Sequence, residues 1–339
     1  MVVGFFRRWP EWVGRAVRVW SILYGVLAAY WLVGGRAGFP VAVVKGHPPG
    51  GTPVATAIAL LLLLGAVVAA ASVGSTSRMA QVGLRFATAT ALLGTFGLAL
   101  TAVGIVASGT IERPLALGSQ LLALVGAFAL FAAALAQTRR NRSRCPRCGG
   151  PHPLPPKPDM PLVRRTPRAA SRRSRLAGCV VLLGVVPWAT VKFVWGLGGS
   201  ALGVTAAEWH TTFDQSTTSG LSRILERAGL DITVLASLAG AVLAITLLSR
   251  PRIPRWLLLT PAVTGATSLA LYGVPLAIWG TAVLAGLTQP AGDPAPFSAT
   301  GQAWMITFGG LAFTGLGTAL AIGAHSYHRR SRPACALPR

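Results

Sequence analysis

Residues 54–74 read VATAIALLLLLGAVVAAASVG and carry no charge. At 1.5 Å rise per residue, a helix of this length crosses a hydrocarbon layer of about 30 Å. A soluble helix would turn a polar face to water, whereas this one is apolar on every side. The same pattern recurs at about residues 17–35, 86–108, 117–136, 177–198, 231–249, 256–281 and 303–326. Of the 339 residues, 53% are hydrophobic and 12% are charged, where soluble domains carry about 25%. The expected fold is all-α: a polytopic helical membrane protein with eight transmembrane helices.

Ahead of the first run, Phe5, Trp9, Trp12, Val13 and Ala16 recur at helical spacing, with Arg8, Glu11, Arg15 and Arg18 on another side. Residues 5–18 are either a helix lying at the headgroup level or the flank of the first span. No short apolar core with a small-residue cleavage site follows, so a signal peptide is not expected.

The formal net charge is +23. Its distribution argues for topology rather than for nucleic acid. Arg78, Arg85, Arg250, Arg252 and Arg255, the N-terminal and C-terminal arginines and the central segment 137–176 all fall on one side of the eight-span scheme. The central segment alone holds twelve Lys/Arg and one Asp. The opposite side carries Arg36, Lys45, Glu112, Arg113, Glu208, Asp214, Arg223, Glu226, Arg227, Asp231 and Asp293, which nearly cancel. Lys/Arg-rich short loops stay cytoplasmic, so both termini are expected inside the cell. Arginine far outnumbers lysine and Ala and Gly are abundant, a bias that fits a GC-rich bacterial coding sequence and a bacterial cytoplasmic membrane.

The spans fall into two sets of four. Tyr30-Trp31-Leu32-Val33-Gly34-Gly35 ends the first, and Val194-Trp195-Gly196-Leu197-Gly198-Gly199 ends the fifth. An aromatic stands seven residues before each tryptophan, Tyr24 and Trp188. Ser77-Arg78 matches Ser249-Arg250, Gly94 with Leu98-Ala99-Leu100 matches Gly265 with Leu269-Ala270-Leu271, and Arg139-Arg140 matches Arg329-Arg330. An even number of spans per unit gives a parallel repeat. A four-span unit whose aromatic first helix ends in Trp-x-x-Gly-Gly resembles small bacterial, often actinobacterial, membrane proteins of uncharacterised function. The resemblance implies two tandem copies, residues 12–140 and 177–330, and brings no catalytic residues with it. The second copy departs from the first in Pro187 and Lys192.

The expected organisation is an N-terminal segment 1–16, a membrane unit 17–136, a basic linker 137–176, a second membrane unit 177–326 and a basic tail 327–339. The linker contains Cys145-Pro-Arg-Cys148-Gly-Gly. Two cysteines three apart on a tight turn suit one tetrahedral zinc ion, with His152 as the nearest third ligand. Cys335, His325 and His328, or a second chain, are candidates to complete it. A redox pair and two reduced cysteines without a role are the competing readings. Seven prolines between Cys148 and Arg175 argue against a packed core there. Arg164, Arg165, Arg168, Arg172, Arg173 and Arg175 directly precede span five, where anionic lipid attracts basic clusters. Fixing topology is the plainer role of that charge. Nucleic acid is disfavoured, because no aromatics interleave the cluster.

On the outer side, residues 219–228 form an expected short helix, and Glu208, His210 and Asp214 match no acid–base motif. Lys192, inside span five, is expected to pair with Asp231 or Glu208 or to snorkel. Two function classes follow. One is a non-enzymatic membrane component that uses the linker for contacts with lipid, a protein partner or a second copy. The other is a transporter or pore for a small or lipid-like solute at the seam of the repeats. An intramembrane enzyme is the weakest reading, since no helix displays a catalytic constellation.

Overall fold

The computed structural model describes residues 9–40, 53–111, 113–146, 149–150, 162–163, 169–209, 232–249, 253–289, 298–331 and 334–335. Of these, 79% are helical. In chain order the elements are α1 (Trp9–Leu32), α2 (Pro53–Ser72), α3 (Arg78–Leu93), α4 (Leu98–Ser108) and α5 (Pro114–Asn141). Then come β1 (Leu162–Val163), α6 (Arg172–Leu182), α7 (Val185–Gly196), β2 (Ser200–Ala201) and β3 (Val204–Thr205). The chain ends with α8 (Ile232–Leu248), α9 (Arg255–Leu284), α10 (Ala299–Arg330) and β4 (Ala334–Cys335). Both strand pairs are antiparallel: β1 with β4, in the register Leu162 opposite Cys335, and β2 with β3.

Among the described residues, five helical stretches are long and apolar enough to cross a membrane: Pro53–Ser72, Pro114–Asn141, Arg172–Gly196, Arg255–Leu284 and Ala299–Arg330. The chain divides into two compact units. The first holds Met1–Phe96, Arg113–Thr166 and Ser331–Arg339, and the second holds Gly97–Glu112 and Pro167–Arg330.

In the first unit, α1 packs on α2 and α5, and α3 packs on the same two helices. The α1 stripe is Val13, Val17, Trp20, Tyr24, Ala28 and Trp31, all buried. It runs at three- and four-residue spacing from the first turn onward. Residues 9–18 are therefore the start of α1 and not a separate interfacial helix, because Val13 and Val17 extend the buried stripe.

Helix α2 shows how the faces are assigned. Ala55, Ala59, Leu62, Gly65, Ala66 and Ala69 point inward, while Leu60, Leu61, Leu64 and Val67 are exposed. Apart from Leu62, the inward residues are small and the large aliphatics face outward, which reverses the soluble pattern and suits helices packed in lipid. Close approach follows from it. The Thr90 hydroxyl fills the space a Cβ at Gly65 would need, and the Trp20 indole does the same at Gly126.

The third apolar segment is not one helix. It breaks at Gly94-Thr95-Phe96-Gly97, between α3 and α4. Gly97 holds φ +80°, a left-handed turn open to glycine. Thr95, fully buried, donates its hydroxyl to the Leu92 carbonyl at 2.7 Å. Beyond the break, α4 packs on α8 and α9 in the second unit. The fifth span also divides, at Leu183-Gly184 between α6 and α7. Pro187 has no N–H to return to the Leu183 carbonyl, and the ladder lapses there.

The second unit is organised on α10, which packs on α6, α7, α8 and most extensively on α9. Gly273 and Gly280 of α9 face Thr314 and Thr307, and Gly310 and Gly317 of α10 face the backbone of Ala277 and Ala270. Two glycines seven residues apart on each helix bring the two backbones together, so any side chain there would force them apart.

Candidate functional site

One end of the first unit is built on the last turn of α5. Arg139, 9% exposed, donates from Nη1 to the Pro146 carbonyl at 2.7 Å. Arg140 donates to the Pro10 carbonyl at 3.0 Å, and Asn141 donates to the Thr76 carbonyl at 2.6 Å. One helix end thus ties down the start of α1, the α2–α3 connection and the cysteine turn. A pocket of about 200 Å³ lies beside it, and the buried Gln137 side-chain amide nitrogen there has no partner among the described residues.

The turn itself is closed. The Cys145 N–H donates to the Gly150 carbonyl at 3.0 Å, and the Gly149 N–H donates to the Cys145 carbonyl at 2.8 Å. Gly149 sits at φ +79° with the Arg139 guanidinium against it. Cys145 is buried. Cys148, His152, Arg164, Arg165 and Arg168 lie outside the described residues. Among the described residues no three His, Cys, Asp or Glu side chains come together. Of the histidines considered as further ligands, His328 is engaged: its Nδ1 lies 2.7 Å from Arg255 Nη2. A guanidinium only donates, so Nδ1 accepts. Cys179 is exposed on α6.

In the second unit, Ser171 caps α6, its hydroxyl accepting from the Ser174 N–H at 3.2 Å. Arg172, Arg173 and Arg175 follow at once, all exposed. Cations at a helix N-terminus oppose the macrodipole, so three arginines there serve something other than the helix. Beside them runs a groove of about 510 Å³. Ser171, Ser174, His325 and Arg329 line it, and Ala321 and Ile322 give it an apolar wall. Arg330, also at its edge, is held by the Leu247 and Ser249 carbonyls and the Ser326 hydroxyl.

Lys192 is 5% exposed. Its Nζ lies 3.5 Å from the Trp209 ring centroid, 5.2 Å from Trp188 and 5.9 Å from Trp195. Trp195 and Trp209 stack at 4.2 Å, and the Trp195 indole N–H donates to the Val204 carbonyl at 3.0 Å. Such a shielded cation–π contact is worth about 2 kcal/mol or more. Trp188, Lys192 and Trp195 already share a helix face in the sequence; Trp209 is the member that spacing alone did not supply. The Glu208 carboxylate is used locally. It accepts from the Thr205 N–H at 2.7 Å and the Thr205 hydroxyl at 2.9 Å, while the Glu208 N–H donates back to that hydroxyl at 3.2 Å. This is a capping box, and it holds the Glu208 carboxyl below its ordinary range. Asp231, His210, Asp214 and residues 219–228 lie outside the described residues.

The two Trp-x-x-Gly-Gly ends are capped alike. Gly34 donates to Trp31 and Gly35 to Tyr30, at 3.1 and 2.9 Å; Gly198 donates to Trp195 and Gly199 to Val194, at 3.0 and 2.9 Å. Gly34 and Gly198 both take positive φ. In each case the tryptophan is buried, and its indole N–H donates to a carbonyl of the following loop, Ala37 or Val204. No family model, no curated protein and no solved structure matches the chain.

Proposed function

We propose that the chain is a multi-pass protein of the bacterial cytoplasmic membrane, a non-enzymatic component that holds anionic lipid at its cytoplasmic face. Eight membrane-crossing segments form two parallel four-helix repeats, residues 12–140 and 177–330, with both termini cytoplasmic. The matching caps at Gly34-Gly35 and Gly198-Gly199 support the repeat. The lipid reading is carried by one observation: Arg172, Arg173 and Arg175 crowd the wrong end of α6 for its dipole, beside a groove with hydroxyls, Arg329 and an apolar wall. A lipid phosphate would answer the charge, with its acyl chain along Ala321 and Ile322.

Native mass spectrometry of detergent-purified protein tests this. Wild type is expected to retain phosphatidylglycerol over phosphatidylethanolamine. At roughly 1 kcal/mol per basic residue, the triple Arg172→Gln, Arg173→Gln, Arg175→Gln variant loses that preference by about tenfold or more. Equal retention by the two proteins removes the reading.

A second reading, passage of a small or lipid-like solute, draws on the break at residues 94–97, since interrupted helices line the sites of many transporters. The buried Tyr24 hydroxyl, unpartnered among the described residues and against Gly94, lies beside that break. Thr95→Cys in a cysteine-free background is then open to a water-soluble maleimide in intact vesicles. Full protection dismisses transport through this position.

A further inference from the structure

We infer that the groove between α6 and α10 takes a lipid with two phosphates, of the cardiolipin class, one phosphate to each wall. The inference rests on the anionic-lipid reading above and specifies which lipid.

Cations stand on both walls. On α6 they are Arg172, Arg173 and Arg175, and on α10 it is Arg329, all exposed. Among the described residues of this unit the one acid is Glu208, and its carboxylate is taken up by Thr205. A single phosphodiester brings one negative charge and answers one wall. Two phosphates on one molecule answer both, through charge-assisted hydrogen bonds to the guanidinium groups.

The α6 wall adds neutral donors. Ser171 accepts from the Ser174 N–H at 3.2 Å, and the two hydroxyls share one hydrogen bond at 3.0 Å. Of their two hydroxyl protons, one is left for a ligand. The first-turn N–H groups at Arg172 and Arg173 have no acceptor within the helix, and such groups bind phosphate.

The two walls are also held at a set distance, because both are pinned to the end of α8. The Ala170 N–H donates to the Leu248 carbonyl at 3.4 Å. Arg330 donates to the Leu247 and Ser249 carbonyls at 2.6 and 3.1 Å. Arg330 is thus spent on the frame, while its neighbour Arg329 lines the groove. A preset separation favours a ligand whose two charges are already joined, since the second phosphate then binds from within the same molecule. At about 510 Å³ the groove is in the range that encloses an organic ligand rather than a lone ion. Leu176, Val180 and Leu183, exposed on α6, and the wall of Ala321 and Ile322 offer acyl chains an apolar path.

Native mass spectrometry of the detergent-purified full chain tests this, with cardiolipin, phosphatidylglycerol and phosphatidylethanolamine supplied in equal amounts. Wild type is expected to retain cardiolipin about fivefold or more over phosphatidylglycerol, the worth of one further basic contact at a charged surface. Arg329→Gln lowers that ratio about fivefold and leaves the preference for phosphatidylglycerol over phosphatidylethanolamine in place. Arg85→Gln, the same charge change at an exposed position of α3 in the first unit, leaves both ratios unchanged. An equal fall in the two variants means that only net charge is read, and it overturns the inference. Wild type that retains cardiolipin and phosphatidylglycerol alike, or takes two phosphatidylglycerols as readily as one cardiolipin, also overturns it and leaves the anionic-lipid reading standing. No preference for either over phosphatidylethanolamine removes both. The wild-type ratios decide the matter even where a variant does not fold.

Discussion

Thr205-Ala206-Ala207-Glu208 spells a capping box in four letters, and the structure uses it as one. The consequence is a pH dependence with a definite sign. Two donors on Thr205 lower the folded carboxyl below its unfolded value. The unfolded chain therefore binds the proton more readily, and the stability from the box is complete above the unfolded value. It fades as pH falls and is gone below the folded value. Hydrogen exchange of the amides at 205 and 208 should accelerate in acid beyond its intrinsic trend in wild type, and Glu208→Gln should flatten that response. An identical acid response in both proteins would refute the assignment. Lys192 was legible as an unusual buried cation, and the sequence offered acids for it. An aromatic face is harder to read, because Trp209 lies seventeen residues along the chain and its approach depends on how residues 197–205 turn.

At the scale of elements, apolar runs announce helices but conceal their interruptions. Gly94 and Gly97 look like the small packing residues found throughout these segments, so residues 86–108 read as a single span. Only the Tyr24 hydroxyl against Gly94 and the buried Thr95 distinguish that glycine from the rest, and both are long-range facts. Pro187, by contrast, was visible, and the lapse at Leu183-Gly184 is where a missing N–H places it. Packing gives a sharper test. A Cβ at Gly126 would enter the Trp20 ring, whereas Gly118 of the same helix has nothing within 4 Å. Gly126→Ala should cost about 1–3 kcal/mol through overpacking. Gly118→Ala should be neutral or gain about 0.5–1 kcal/mol. Thermal unfolding midpoints of the two variants in detergent compare them directly. A neutral Gly126→Ala would mean that Trp20 does not pack there.

For the whole molecule, composition and run length indicated an all-helical chain with segments fit to cross a membrane, and five described stretches have that length and hydropathy. The grouping was less legible. Residues 97–112 join the second compact unit and 331–339 the first, because those assignments come from contacts between distant parts of the chain. The proposed eight-segment topology predicts that reporters fused after Arg339 and after Gly150 both lie in the cytoplasm, while one inserted near Asp293 lies outside. A cytoplasmic reporter at Asp293 would require a different number of crossings.

The side chain of Gln120 sets an order of assembly. Its amide nitrogen reaches the Pro40 carbonyl at 2.6 Å and the Phe96 carbonyl at 3.1 Å, and neighbouring Ser119 holds the Gly38 carbonyl. A ribosome makes Pro40 and Phe96 well before Gln120. Until α5 emerges, those carbonyls wait for these donors. The first unit therefore cannot close helix by helix as it is synthesised; of its packed helices, α5 arrives last and latches it.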